Sequence, residues 1–145
     1  MQTIQELERE NWGDPGEGES YLANAYLQLR RKPIGEFTIE DLRVMIGRDI
    51  GTKYLMPYAL DALESEPLAE GGFYPGDLLL NVLRLSESYW RERTDQLDRT
   101  IGIAHRAIEI ISTGDRSFLD RKLKGELQSF IWQNERLKTT ITTES

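Results

Sequence analysis

Residues 37–47 read FTIEDLRVMIG, and this stretch decides the fold class. Thr38 stands where a helix N-cap belongs, and Asp41, three residues on, makes an aspartate variant of the capping box. Ile39, Leu42, Met45 and Ile46 follow as one apolar stripe at helical spacing, and Gly47 reads as the stop. No stretch of four or more residues anywhere in the chain alternates apolar and polar as a half-buried strand does. The building unit is the amphipathic helix.

Working outward, the same signals recur. Upstream, Thr3 to Glu6 is a capping-box pattern that opens a short helix to about Asn11. WGDPGEGES (12–20) is a loop. Tyr21, Leu22, Ala25, Tyr26 and Leu29 then mark a helix over about 20–31, with Arg30, Arg31 and Lys32 in its last turn and Pro33 and Gly35 ending it. Downstream, a helix spans about 52–65 with Leu55, Tyr58, Ala59, Ala62 and Leu63 toward the core. Pro57 inside it implies either a start near Met56 or a distorted first turn.

A leucine-rich buried helix covers about 75–85. Ser86 is the N-cap of the longest element, helical to about Ser112, with Trp90, Leu97, Ile101, Ala104, Ile108 and Ile111 on one stripe and Gly102 as a candidate bend. At 1.5 Å per residue it would be about 40 Å long. A last helix over about 117–137 carries Leu119, Leu123, Leu127, Phe130 and Leu137. The expectation is an all-α, compact single-domain bundle of six or seven helices over 1–145. A short loop makes the last two a long antiparallel pair, and residues 138–145 read as a frayed tail.

At 145 residues the chain fits one domain, which at that size buries roughly 68–70% of its unfolded surface. It has no cysteine, which excludes disulfides, thiolate metal sites and a cysteine nucleophile. The polar, acidic start is no signal peptide and no apolar run approaches a membrane span, so a cytoplasmic protein without a membrane role is expected. His105 is the lone histidine and sits beside the stripe of the long helix. There is no Glu-x-x-His pair and no phosphate loop, and GDPGEG lacks the ligand spacing of a calcium loop. No catalytic residue, metal or cofactor is assigned, and the chain reads as a binding protein rather than an enzyme.

Charge is uneven. The chain carries 25 Asp and Glu against 18 Lys and Arg, net −7, which argues against direct nucleic-acid binding. Between Lys53 and Arg84 there is no basic residue, yet Asp61, Glu64, Glu66, Glu70 and Asp77 lie there with Tyr54, Tyr58, Phe73 and Tyr74. The N-terminal segment has Glu6, Glu8, Glu10, Asp14, Glu17 and Glu19 against Arg9 alone. Acids beside aromatics suit a protein interface, since rings supply desolvated area and charges steer a basic partner. The candidate partner-binding set is Asp61, Glu64, Glu66, Glu70, Phe73, Tyr74 and Asp77. The plainer alternative has Asp77 favouring the helix that follows, Phe73 stapled against it and the glutamates merely solvated. Phe73 and Tyr74 stay divided between core and interface.

Residues 29–85 also resemble a family of bacterial contact-dependent growth inhibition (CDI) immunity proteins. The resemblance is carried by Arg30-Arg31-Lys32-Pro33, Gly35-Glu36-Phe37-Thr38, Glu40-Asp41-Leu42-Arg43, Ile46-Gly47 and PLAEGGFYPGDLL (67–79), and more weakly by ELERENWGDP (6–15). It implies a cytoplasmic protein that binds the toxin domain delivered by sibling cells, many such toxins being nucleases with basic clefts. It assigns no contact residues. Other readings are a helical adaptor that self-associates through the long stripe, a carboxylate-metal hydrolase, and a nucleic-acid regulator using Arg30, Arg31 and Lys32. A homodimer is compatible with immunity.

Overall fold

The structure is a computed structural model that describes residues 2–114 and 118–144, the side chains of 118, 119 and 138–144 excepted. Among the described residues it is all-α. Helices α1 (Ile4–Glu8), α2 (Tyr21–Arg30), α3 (Ile39–Gly47), α4 (Thr52–Ser65), α5 (Asp77–Leu83), α6 (Glu87–Arg91), α7 (Thr94–Thr113) and α8 (Phe118–Glu144) follow one another, with a 3-10 turn at Ile34–Glu36. Among the described residues there is no strand, and Glu70 and Pro75 form an isolated bridge. No helix among the described residues is long and apolar enough to cross a membrane.

The caps expected at Thr3, Thr38 and Ser86 form, and Ser20 caps α2 in the same way: each accepts a hydrogen bond from the amide three residues on. At Thr38 the box is complete, because Asp41 also accepts from the Thr38 amide. Helix α4 starts at Thr52 and runs through Pro57, whose ring lies on the exposed side, so the start near Met56 is not taken. Gly47 is the last residue of α3 rather than the residue beyond it. A Cβ there would sit 2.7 Å from Nδ2 of Asn81, so glycine lets α5 approach α3 closely. Asn81 uses that approach to donate to the Arg43 carbonyl at 2.9 Å.

The expected helix over 86–112 is two helices. Helix α6 ends at Arg91, and Arg93 takes φ −136°, ψ 58° before α7 begins. No glycine or proline marks this break. Its reason is tertiary: the short α6 places Trp90 edge-on to Phe130 of α8, ring centres 5.9 Å apart, with the indole 1% exposed. The Arg93 guanidinium then folds back over the Tyr89 ring at 4.2 Å. Helix α7, with 20 residues, is thus about 30 Å long.

Helices α3, α4 and α5 pack together, α7 lies on α4, and α8 lies antiparallel along α7 while touching α5. Leu55, Leu63, Leu79, Leu97 and Leu127 have no exposed surface and belong to one hydrophobic cluster that runs from Ile4 to Leu137. Each such burial contributes about 1.5–3 kcal/mol. The α8 backbone is helical to Glu144, beyond the expected end at Leu137. The tail expected at 138–145 lies outside the described side chains, as does that of Leu119.

Candidate functional site

Leu60 and Leu63 are fully buried and set the rotation of α4, which turns Asp61 and Glu64 outward beside α7. Arg99 of α7 answers both. Its Nη2 lies 2.9 Å from Asp61 Oδ1 and 2.5 Å from Glu64 Oε1, and its Nε donates to Glu64 Oε2 at 3.2 Å. Arg106, two turns on, donates to the Glu64 carbonyl at 2.7 Å. The hydrogen bond from Arg99 holds the Glu64 carboxyl below its ordinary pKa; burial opposes this, and the charges of Arg99 and Arg106 add to it. Glu64 in turn raises the pKa of Arg99. An interval without basic residues in sequence is therefore not without them in space.

The loop between α4 and α5 is built around Asp77. This residue is 3% exposed. Its Oδ1 accepts from the Gly71 amide at 2.7 Å, and its Oδ2 from the Phe73 and Tyr74 amides at 3.0 and 3.4 Å. The carboxylate thus orders the loop, and it lies in the first turn of α5, where a negative charge favours the helix. Gly76 closes the loop with φ +92°, and a Cβ there would meet Leu123 Cδ2 at 2.5 Å. Arg43 of α3 comes within 3.7 Å of Asp77 and pairs with Glu40.

The two aromatics separate. Tyr74 is half-buried and packs against the core, whereas Phe73 is 70% exposed and lies under the Arg43 guanidinium. Phe73 is no staple against α5. Glu66 and Glu70 are exposed and have no ion-pair partner among the described residues. The candidate set thus resolves into an outward group, Glu66, Glu70 and Phe73, flanked by the Arg99-bound pair Asp61 and Glu64. Tyr74 and Asp77 hold the loop from beneath.

The basic triplet after α2 behaves as its position implies. Arg30, with no exposed surface, pairs with Glu8, donates to the Glu10 carbonyl at 2.6 Å and stacks on Trp12. Arg31 pairs with Asp14, and Lys32 reaches Asp41 at 2.6 Å. Tyr58, expected toward the core, is 44% exposed. Of the apolar residues that marked α2, Tyr21 is 87% and Leu22 52% exposed. The spacing of α2 concealed this, because Leu27 and the aliphatic and planar parts of Arg30 take the buried side instead.

An open groove of about 820 Å³ separates α5 and α6 from α8, floored by Leu80, Trp90 and Phe130. Two ion pairs lie on its rim, Arg84 with Glu126 and Arg91 with Glu87. His105 is exposed, 3.8 Å from Glu135. Among the described residues no three His, Cys, Asp or Glu side chains gather as a metal site.

The family model described as CDI immunity proteins matches residues 6–100. No curated protein matches the chain. The match runs from α1 into α7 and contains both the loop ordered by Asp77 and the Arg99 clamp. The chain belongs to the family of CDI immunity proteins.

Proposed function

We propose that this protein binds and neutralises the toxin domain of a contact-dependent growth inhibition system, acting in the cytoplasm as a stoichiometric inhibitor and not as an enzyme. The observation that carries this reading is the family match over residues 6–100, which spans the whole candidate surface. Inhibition needs only fast, tight occupancy of the toxin's active site or of the path its substrate takes. Opposite charge can raise association toward about 10⁸–10⁹ M⁻¹s⁻¹ at low salt, and a net charge of −7 suits a basic toxin such as a nuclease.

Part of the contact is assigned to the stretch from Asp61 to Asp77. Glu66, Glu70 and Phe73 would face the toxin, Asp61 and Glu64 would flank them in the hold of Arg99, and Tyr74 and Asp77 would keep the loop in shape. The decisive experiment is co-expression with the toxin domain encoded beside this chain, followed by co-purification and a growth assay. Failure of both overturns the immunity reading. The surface is tested separately by E66K/E70K, which spares the Arg99 clamp. Weaker binding with a flatter salt dependence is expected, and unchanged values would remove the stretch from the interface.

A further inference from the structure

The N-terminal edge of the bundle displays apolar surface that the core leaves out. Tyr21 and Leu22 open α2 and are 87% and 52% exposed, whereas Trp12, 48% exposed, stacks on Arg30, the last residue of α2, with its ring 3.9 Å from the guanidinium carbon. A hydrogen-bonded loop precedes Tyr21 and Leu22 in the chain. Asn24 Oδ1 accepts from the Gly16 and Gly18 amides at 2.9 and 2.7 Å, which binds the preceding loop to the first turn of α2. Arg31 draws in the other end of the loop through Asp14 and the Gly13 carbonyl. Exposed apolar groups rimmed by polar ones mark interaction surfaces.

Charge selects the occupant. Arg30 and Arg31 neutralise Glu8 and Asp14. Glu10, Glu17 and Glu19 are exposed and keep no ion-pair partner among the described residues. Lys32 ties the end of α2 to Asp41 at the start of α3, and Tyr26 accepts from Arg48 just past the end of α3. Helices α2 and α3 are therefore antiparallel. Tyr21 lies at the end of α3 remote from Glu40, whereas Phe73 lies at the Glu40 end.

We infer that Tyr21 and Leu22, with Glu17 and Glu19 just before them in the chain, form a second docking surface, and that its occupant is a basic face of the toxin domain. The inference rests on the immunity reading and adds a separate contact to it. The Tyr21 ring and the leucine supply area that is desolvated on docking, while the carboxylates draw in and orient the basic partner.

The test titrates the purified toxin domain against the full chain at low and high salt, comparing the native protein with E17K/E19K, with Y21A/L22A and with E92K/E109K, a charge-matched control on α6–α7. Each patch variant is expected to weaken binding at least tenfold. The charge variant should also flatten the salt dependence, and the control should stay within twofold. Circular dichroism checks the fold; if Y21A/L22A loses helix, the charge pair alone decides. Native-like affinity in both patch variants overturns the inference and leaves the immunity reading intact. No binding by the native chain overturns that reading and this surface with it.

Discussion

The guanidinium carbon of Arg43 lies 4.2 Å from the centre of the Phe73 ring. One face of Arg43 thus holds an exposed aromatic, while its nitrogens engage Glu40 and approach Asp77. The ring is fixed in place without being buried. Phe73→Ala should therefore lower unfolding stability in urea by less than about 1 kcal/mol, the range of an exposed cation–π contact. Toxin affinity should fall at least tenfold in the same variant. A large stability loss would return Phe73 to the core.

Asp77 predicts the opposite pattern. Removing its carboxylate strands three loop amides that have no other partner shown, at a site with little access to water. Asp77→Ala should cost about 2–4 kcal/mol of unfolding free energy, and Asp77→Asn less, because one acceptor oxygen remains. Urea denaturation checks both. Equal stability of Asp77→Ala and the native chain would show that the loop does not depend on this residue.

Arg30 is the largest buried cation and gathers Glu8, the Glu10 carbonyl and Trp12. Breaking a fully buried ion pair costs about 3–5 kcal/mol; Glu8 reaches solvent, so Arg30→Ala should cost about 2–3 kcal/mol. Limited proteolysis should cut the 9–19 segment faster in the variant. Arg30→Lys should not restore protection, since an ammonium cannot span the same three partners.

Glu64 gives a pH dependence. Its folded pKa is lowered, chiefly by the Arg99 hydrogen bond. A depressed carboxyl contributes stability that is present above its unfolded pKa and lost as pH falls through the folded one. The native protein should lose part of its stability as pH drops below about 4.3, the ordinary glutamate value. Glu64→Gln should show a shallower acid loss in pH-dependent thermal melts. Identical acid slopes would dissociate Glu64 from acid unfolding.

Much of the fold is local and was legible for that reason. A cap depends on the residue and an amide three positions on, so Thr3, Thr38 and Ser86 marked real helix starts. The bounds of α4 follow from a stripe that Leu55, Ala59 and Leu63 carry into the core. The break between α6 and α7 carried no such mark, because it serves the meeting of Trp90 with Phe130, forty residues away in sequence. The outward turn of Tyr21 and Leu22 likewise depends on what Arg30 finds beneath α2.

The candidate site divides along the same line. The sequence by itself determined an all-α chain, an acidic balance, and a glycine-rich loop with a family likeness, because composition, period and capping act over a few residues. Only the tertiary structure decided which acids remain available. Arg43 and Arg99 reach into an interval that has no basic residue of its own, engage Glu40, Asp61 and Glu64, and leave Glu66, Glu70 and Phe73 facing outward. Ion pairing depends on distance through space, and chain position does not encode that distance once helices thirty-five residues apart are packed side by side.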